Sequence, residues 1–438
     1  MKASELFRPS GYKSPWVSYP ALLCLAFVEF LALWYLTVHQ EAPSDSVTYF
    51  AAADDLLAGK VSIGRTPVYP LILASLRALF GAGVNLAVIL LQFVAFVISA
   101  HFLSRLCALY KLKERVGFWV VAVYLLWPGT LGYCPQVLTE AFSVCGVVYM
   151  LWFLAKSAAR GVRMSDVGRA AFWLVFLIFL RPVFVYLVLA FVIFYAFLFF
   201  REHTKAARLS ALGGIGLALV ALGLVAAYKS EVTRTYGISS FSSISTINNY
   251  YLIRTSGLLS PEVAGDSTLR ALLSTFEQGD IHNSFEKILD EDNIIRAADI
   301  SPVAFEEYVN GVIAANPKAV AQGAFYRWSH DASGAAIMPS APQFPIYVLE
   351  RFLAPSISAF WLFFIIFTIM ALRQWYRSRI LPAQSLIYLL VSGGLIGASI
   401  LGAMNDWPRL CMPVFPVVLL LVGKFASLYI RDTRQEIC

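Results

Sequence analysis

The sequence predicts an all-α, polytopic membrane protein with about ten transmembrane helices, and three observations carry that expectation. Of 438 residues 59% are hydrophobic and only 14% charged, with a mean hydropathy of +0.69; this excludes a soluble domain. Long apolar runs recur, separated mostly by short connections. Lysines and arginines fall on one side of those runs, as they do in cytoplasmic loops. The expected spans are approximately 17–38, 85–109, 115–133, 136–156, 167–181, 183–200, 209–228, 350–372, 382–403 and 411–430. Arg181-Pro182 separates the fifth from the sixth within what is otherwise a single apolar run.

Charge orients the bundle. The connections near Lys13, Lys111, Arg163, Lys205 and Arg377, with the C-terminal segment, hold 20 of the 34 basic residues and six acidic ones, a net +14 against −7 for the remainder. Both termini are therefore expected in the cytoplasm and the first loop outside it. The net charge of +7 is explained by this bias and calls for no nucleic-acid partner. The first apolar run is longer than the core of a signal peptide and lacks a small-residue cleavage site, so it is expected to remain as an anchor. Six cysteines at 24, 107, 134, 145, 411 and 438 show neither metal-ligand spacing nor a disulfide pattern and read as small apolar residues.

Three regions follow: an N-terminal membrane bundle, 1–228, with its first outer loop at 39–84; a polar extracytoplasmic region, 229–349; and C-terminal membrane helices, 350–438. The first loop crowds carboxylates, a guanidinium and turn residues between apolar runs. Asp45 precedes an amphipathic segment, with Val47, Phe50, Ala51 and Leu57 on one face, that ends at Gly59. Thr66-Pro67 reads as the N-cap and first residue of a second segment ending at Gly81. Each is about thirteen residues, roughly 20 Å as helix and too short for a hydrocarbon core of roughly 30 Å, so both are expected to lie on the membrane surface. In the outer region, an acidic helix-like stretch is expected near Phe285 to Asp299. A helix pair should divide at Asn316-Pro317, with the aromatic and basic run Phe325 to Trp328 suiting a membrane interface.

These stretches carry a resemblance. Asp45, then Tyr49-Phe50-x-Ala52-Ala53-x-x-Leu56-x-x-Gly59-Lys60 and Arg65-Thr66-Pro67-x-Tyr69-Pro70, resemble the first outer loop of GT-C glycosyltransferases. The pattern is most similar to bacterial relatives of protein O-mannosyltransferases and of aminoarabinose transferases. Leu138-Thr139-Glu140, Leu180-Arg181-Pro182, and Arg409 followed by Met412-Pro413 and Pro416 fit the same family, while most of 229–345 matches nothing in it. The resemblance implies a polyprenyl-phosphate sugar as donor, an extracytoplasmic lipid, glycan or protein as acceptor, and a bacterial inner-membrane location.

Transfer from such a donor needs a base for the acceptor hydroxyl and positive charge for the departing phosphate. If the reaction inverts the anomeric carbon, one carboxylate suffices. Asp45 is the candidate base, its alternative role being a helix cap. Arg65, Arg181 and Arg409 suit phosphate oxygens, or else snorkel toward water; Lys60 is a weaker addition. Glu140, in an apolar span near its outer end, requires a partner and is a candidate for positioning substrate or an arginine. Asp54 and Asp55 form either a solvated helix face or a metal pair, and no His stands at ligand spacing beside them; no metal is assigned. Glu29, deep in the first span, calls for a basic partner that the sequence does not identify. An oligosaccharide polymerase or ligase and a lipid or sugar transporter are the competing expectations. The latter needs polar sites near the midplane on broken, repeated helices, and no repeat is present.

Overall fold

A computed structural model describes residues 19–38, 44–276, 297–331, 383–402 and 412–429, with a few single residues between them. Among the described residues the chain is all-helical, with no strand. The long elements are α1 (Tyr19–Val38), α2 (Ser44–Leu57), α3 (Val68–Phe80), α4 (Val84–Leu109), α5 (Glu114–Leu126), the single turn α6 (Pro128–Leu131), α7 (Glu140–Arg160), α8 (Met164–Leu180), α9 (Leu187–Arg201) and α10 (Lys205–Tyr236). Beyond these come α11 (Ser243–Thr255), α12 (Ser267–Leu273), α13 (Pro302–Ala315), α14 (Pro317–Asp331), α15 (Ala383–Gly402) and α16 (Phe415–Tyr429).

Five segments among the described residues are long and apolar enough to cross a membrane: Pro20–Thr37, Val68–Leu109, Glu140–Arg160, Pro182–Arg201 and Lys205–Tyr236. They lie on the expected first, second, fourth, sixth and seventh spans. The second is not one rod. Tyr69 Oη donates to Gln92 Oε1 at 3.0 Å, whereas residues 23 apart in a straight helix lie about 35 Å from each other. The chain reverses between them at Gly81–Gly83, where Gly81 adopts φ +55°, a value that favours glycine. α3 thus folds back along α4.

The expected third span ends early. α5 stops at Leu126 because Trp127 precedes Pro128 and is extended, with ψ 113°, as a following proline requires. The break at Arg181-Pro182 is real: Arg181 is extended and Pro182–Tyr186 forms a 3-10 turn before α9. The eighth expected span falls almost entirely outside the described residues. The apolar stretch expected at 209–228 is the middle of a helix that continues through Tyr236, where Gly237, at φ +76°, caps it in the left-handed region.

α7 is the centre of the bundle, buried along most of its length, with α4 and α8 against it. Close approach depends on small residues. A Cβ at Gly214 in α10 would meet the Tyr195 ring of α9 at 2.6 Å, and one at Gly146 would meet Leu177 at 2.8 Å. Cys107, Cys134 and Cys145 are buried as expected; Cys24 is not, lying exposed on α1. Lys113, Arg160, Arg163 and Lys205 sit at short turns joining helices that pack on each other, whereas Glu140 and Arg181 stand at the other ends of α7 and α8.

A second core forms from Tyr250, Ile253, Leu269, Tyr308, Val309 and their neighbours in α11–α14. Within it Arg254, fully buried, is held by Glu291 through Nε at 2.9 Å and Nη2 at 2.7 Å. Burial and the adjacent Glu291 carboxylate push the Tyr250 phenol upward, and its hydroxyl donates to that carboxylate at 2.5 Å. The division at Asn316-Pro317 matches the boundary between α13 and α14. Most of the acidic stretch at 285–299, and the side chains of 325–328, lie outside the described residues.

Because Gly214 sits under an aromatic ring while Gly216 faces open space, substitutions at the two should diverge. Gly214→Val is expected to cost about 1–3 kcal/mol by overpacking. Gly216→Ala should be neutral or slightly stabilising, since alanine is favoured over glycine in helices by about 1 kcal/mol. Thermal unfolding of the detergent-solubilised protein measures both; equal loss at the two positions would contradict this packing.

Candidate active site

The stretch between α1 and α4 is built from two short helices, α2 and α3, packed on each other. α2 ends at Leu57 and the chain leaves it through Gly59 at φ +72°. The buried face of α2 is Ser46, Tyr49, Ala52 and Ala53; Val47, Ala51 and Leu57 point outward. Three of the four residues on the apolar face read from the sequence thus turn away from the protein, while the fourth, Phe50, packs against the core. α3 begins at Val68, and Thr66 does not cap it. The Thr66 hydroxyl instead donates to the Leu180 carbonyl at 3.0 Å, a tertiary bond that displaces the local one.

Asp45 lies in the first turn of α2, and Arg65 Nη2 donates to its Oδ1 at 2.5 Å. Nε of the same guanidinium donates to Thr48 Oγ1 at 2.8 Å, and Nη1 to Tyr49 Oη at 3.3 Å. Arg65 Cζ also stands 4.2 Å from the Tyr49 ring centroid. Three of the five N–H groups of an arginine are thus engaged, and among the described residues the other two have no protein partner. The pair is partly accessible, with side chains 11% exposed for Arg65 and 25% for Asp45.

Beside it stands a second pair. Arg181, at the break between α8 and its 3-10 turn, donates through Nη1 to Glu140 Oε1 at 2.9 Å. Glu140 opens α7 and is 1% exposed; Arg181 is 12% exposed. The expectation that Glu140 needs a partner holds, and the partner is Arg181. The two pairs are linked at two points, through Thr66 on Leu180 and through Tyr49 Oη against Thr139 Oγ1 at 3.4 Å. Ser46 adds a third contact between the elements, donating to the Val137 carbonyl at 3.0 Å.

The turn that carries Arg65 is fixed by the C-terminal half of α10 and the start of α11. Tyr236 Oη donates to the Val61 carbonyl at 2.5 Å, Ser243 N to the Ile63 carbonyl at 2.9 Å, and Tyr228 Oη to the Arg65 carbonyl at 3.3 Å. Glu306, buried in α13, holds the segment behind, accepting from Ser239 N at 2.5 Å and from Ser240 Oγ.

Of the six residues picked out in the sequence, the fold brings Asp45, Arg65, Glu140 and Arg181 together. Lys60 is exposed just past the end of α2 and joins no ion pair among the described residues. Arg409 lies outside them. Asp54 forms an ion pair with Arg77 of α3, whose guanidinium also stands 5.2 Å from the Phe50 ring centroid. No group of three His, Cys, Asp or Glu suited to a metal ion occurs among the described residues, and Glu29 has no ion-pair partner there. Sequence reasoning missed Thr48, Tyr49 and Thr139. The last two sit inside motifs already marked for their neighbours, which is the one signal that points to them.

No protein-family model matches the chain, and no curated protein matches it significantly.

A carboxylate as buried as Glu140 depends on its guanidinium, because removing one partner of a buried pair costs about 3–5 kcal/mol. Arg181→Met should therefore lower the melting temperature sharply, and adding Glu140→Gln should recover part of the loss. An unchanged melting temperature in Arg181→Met would show that the pair is not structural.

Proposed function

We propose that the chain is an integral-membrane, inverting glycosyltransferase of GT-C type. It transfers a hexosyl or pentosyl group from a polyprenyl-phosphate carrier to an extracytoplasmic lipid, glycan or protein acceptor. One observation carries the reading: Asp45, Arg65, Glu140 and Arg181, chosen from separate stretches of sequence, meet at the end of the bundle opposite the basic connections. The resemblance of those stretches to GT-C loops supports it.

In this reading the Asp45 carboxylate takes the proton of an acceptor hydroxyl as its oxygen attacks the anomeric carbon. The bond from that carbon to the phosphate oxygen breaks, and the electron pair leaves with the polyprenyl phosphate. Arg65 orients Asp45 and, with Arg181 and Arg409, balances charge on the departing phosphate. Glu140 holds Arg181 in place. The full proposal has ten spans in a bacterial inner membrane, both termini cytoplasmic, the site outside, and the exposed apolar face of α2 resting on lipid. The outer region, bonded to the Arg65 turn, forms one wall of the acceptor site.

Asp45→Asn is the decisive variant. Asparagine caps a helix about as well as aspartate, so folding should survive, while loss of a positioned base costs a factor of roughly 10² to 10⁴ in rate. Mass spectrometry of envelope lipids and glycans, comparing cells that carry the parent gene, the variant and no gene, reads the outcome. A sugar absent from both the variant and the deletion supports the proposal; a sugar missing only in the deletion removes Asp45 from catalysis; no difference in any strain removes glycosyl transfer.

A further inference from the structure

Tyr49 has no role in the chemistry just described, yet it touches Arg65, Thr139 and Tyr69 at once. Its ring lies under the Arg65 guanidinium at 4.2 Å, and its hydroxyl stands between Arg65 Nη1 at 3.3 Å and Thr139 Oγ1 at 3.4 Å. An arginine can only donate, so the phenol oxygen accepts from Arg65 and its own proton is available to Thr139. Both contacts are longer than a relaxed hydrogen bond, and the ring face adds a cation–π contact to the same guanidinium.

The ring is itself fixed. Tyr49 is 5% exposed, and Tyr69 meets it edge-on, centroids 4.8 Å apart and planes at 75°. Tyr69 is anchored to Gln92, whose amide donates to the carbonyls of Cys134 and Gln136 at 2.8 and 2.6 Å. That connector leads directly into Thr139 and Glu140. Thr139 is the N-cap residue of α7, but its side chain makes no capping bond; its hydroxyl faces Tyr49.

We propose that Tyr49 is a positioning residue: with Thr139 it ties the Arg65 guanidinium to the start of α7, so that the Asp45–Arg65 and Glu140–Arg181 pairs present their unused N–H groups as one anion-binding surface. Its value for binding a phosphate-bearing donor rests on the glycosyltransferase reading; its hold on Arg65 does not.

The test uses the purified full-length protein and an arginine-directed dicarbonyl reagent, with modification of Arg65 and Arg181 followed by mass spectrometry. Tyr49→Phe keeps the ring and removes the hydroxyl, and Thr139→Val breaks the same tie from the other side if the first variant fails to fold. Each should raise the labelling rate of Arg65 by at least about twofold and leave Arg181 unchanged, while the double variant should show no further increase, because coupled residues are not additive. Unchanged Arg65 labelling in the single variants, or effects that multiply in the double, would overturn the proposal. A synthetic polyprenyl monophosphate should slow Arg65 labelling in the parent protein, and less so in Tyr49→Phe. If it protects neither, while the variants label as expected, the lipid-phosphate donor is wrong and the positioning of Arg65 by Tyr49 stands.

Discussion

A carboxylate as enclosed as Glu140 must be paired, and its contact with Arg181 meets that demand at the most enclosed point of the site. Taking an ion out of water costs several kcal/mol even after the protein relaxes, and the attraction of a partner repays it only where geometry is good. Here the requirement fixes backbone as well as side chains. Glu140 has to open α7, Arg181 has to leave α8 in extended form, and the proline that follows keeps the chain from continuing as one helix. The Leu180 carbonyl, at the last residue of α8, then receives the hydroxyl of Thr66. One electrostatic constraint thereby places the end of α8, the start of α7 and the turn after α2.

Much of this arrangement was legible in the sequence. Apolar length and the one-sided placement of basic residues define a helical membrane protein, and Gly59, Gly81 and Arg181-Pro182 mark real boundaries because backbone conformation there depends on residue type. Glu140 was readable as a residue in need of a partner, since a lone carboxylate in an apolar span is costly. Its partner was not, because pairing residues 41 positions apart requires knowing which helices are neighbours. Helix caps misled in the same way. Thr66 and Thr139 are both suited to capping, but each turns its hydroxyl to another element, and a tertiary partner outweighs a local bond worth about 1 kcal/mol. The amphipathic face of α2 was legible as a pattern, but its direction was not: Val47, Ala51 and Leu57 point outward while Phe50 packs inward. In a membrane protein an apolar stripe does not by itself say whether it faces protein or lipid.

The polar region that follows the apolar stretch of α10 is joined to the bundle through backbone carbonyls. Carbonyls of the turn 61–65 accept hydrogen bonds from Tyr228, Tyr236 and Ser243, and Phe241 packs against Tyr228 and Phe179. A polar outer stretch and a catalytic-looking loop appear as separate features in the sequence. In the fold they share a wall, because α10 extends past its apolar stretch to reach that turn.

Those borrowed hydrogen bonds have a consequence for the order of assembly. The Arg65 turn is synthesised early, but a donor that fixes it, Ser243, is 180 residues further along. At about 5–20 residues per second, the ribosome needs roughly 9–36 s to supply it. Through that interval α2 and α3 are already made while the turn between them lacks its outer support. The site is therefore completed late, when the chain returns through α10, and a truncated product ending before Tyr228 would contain Asp45, Arg65, Glu140 and Arg181 without the support that holds the turn.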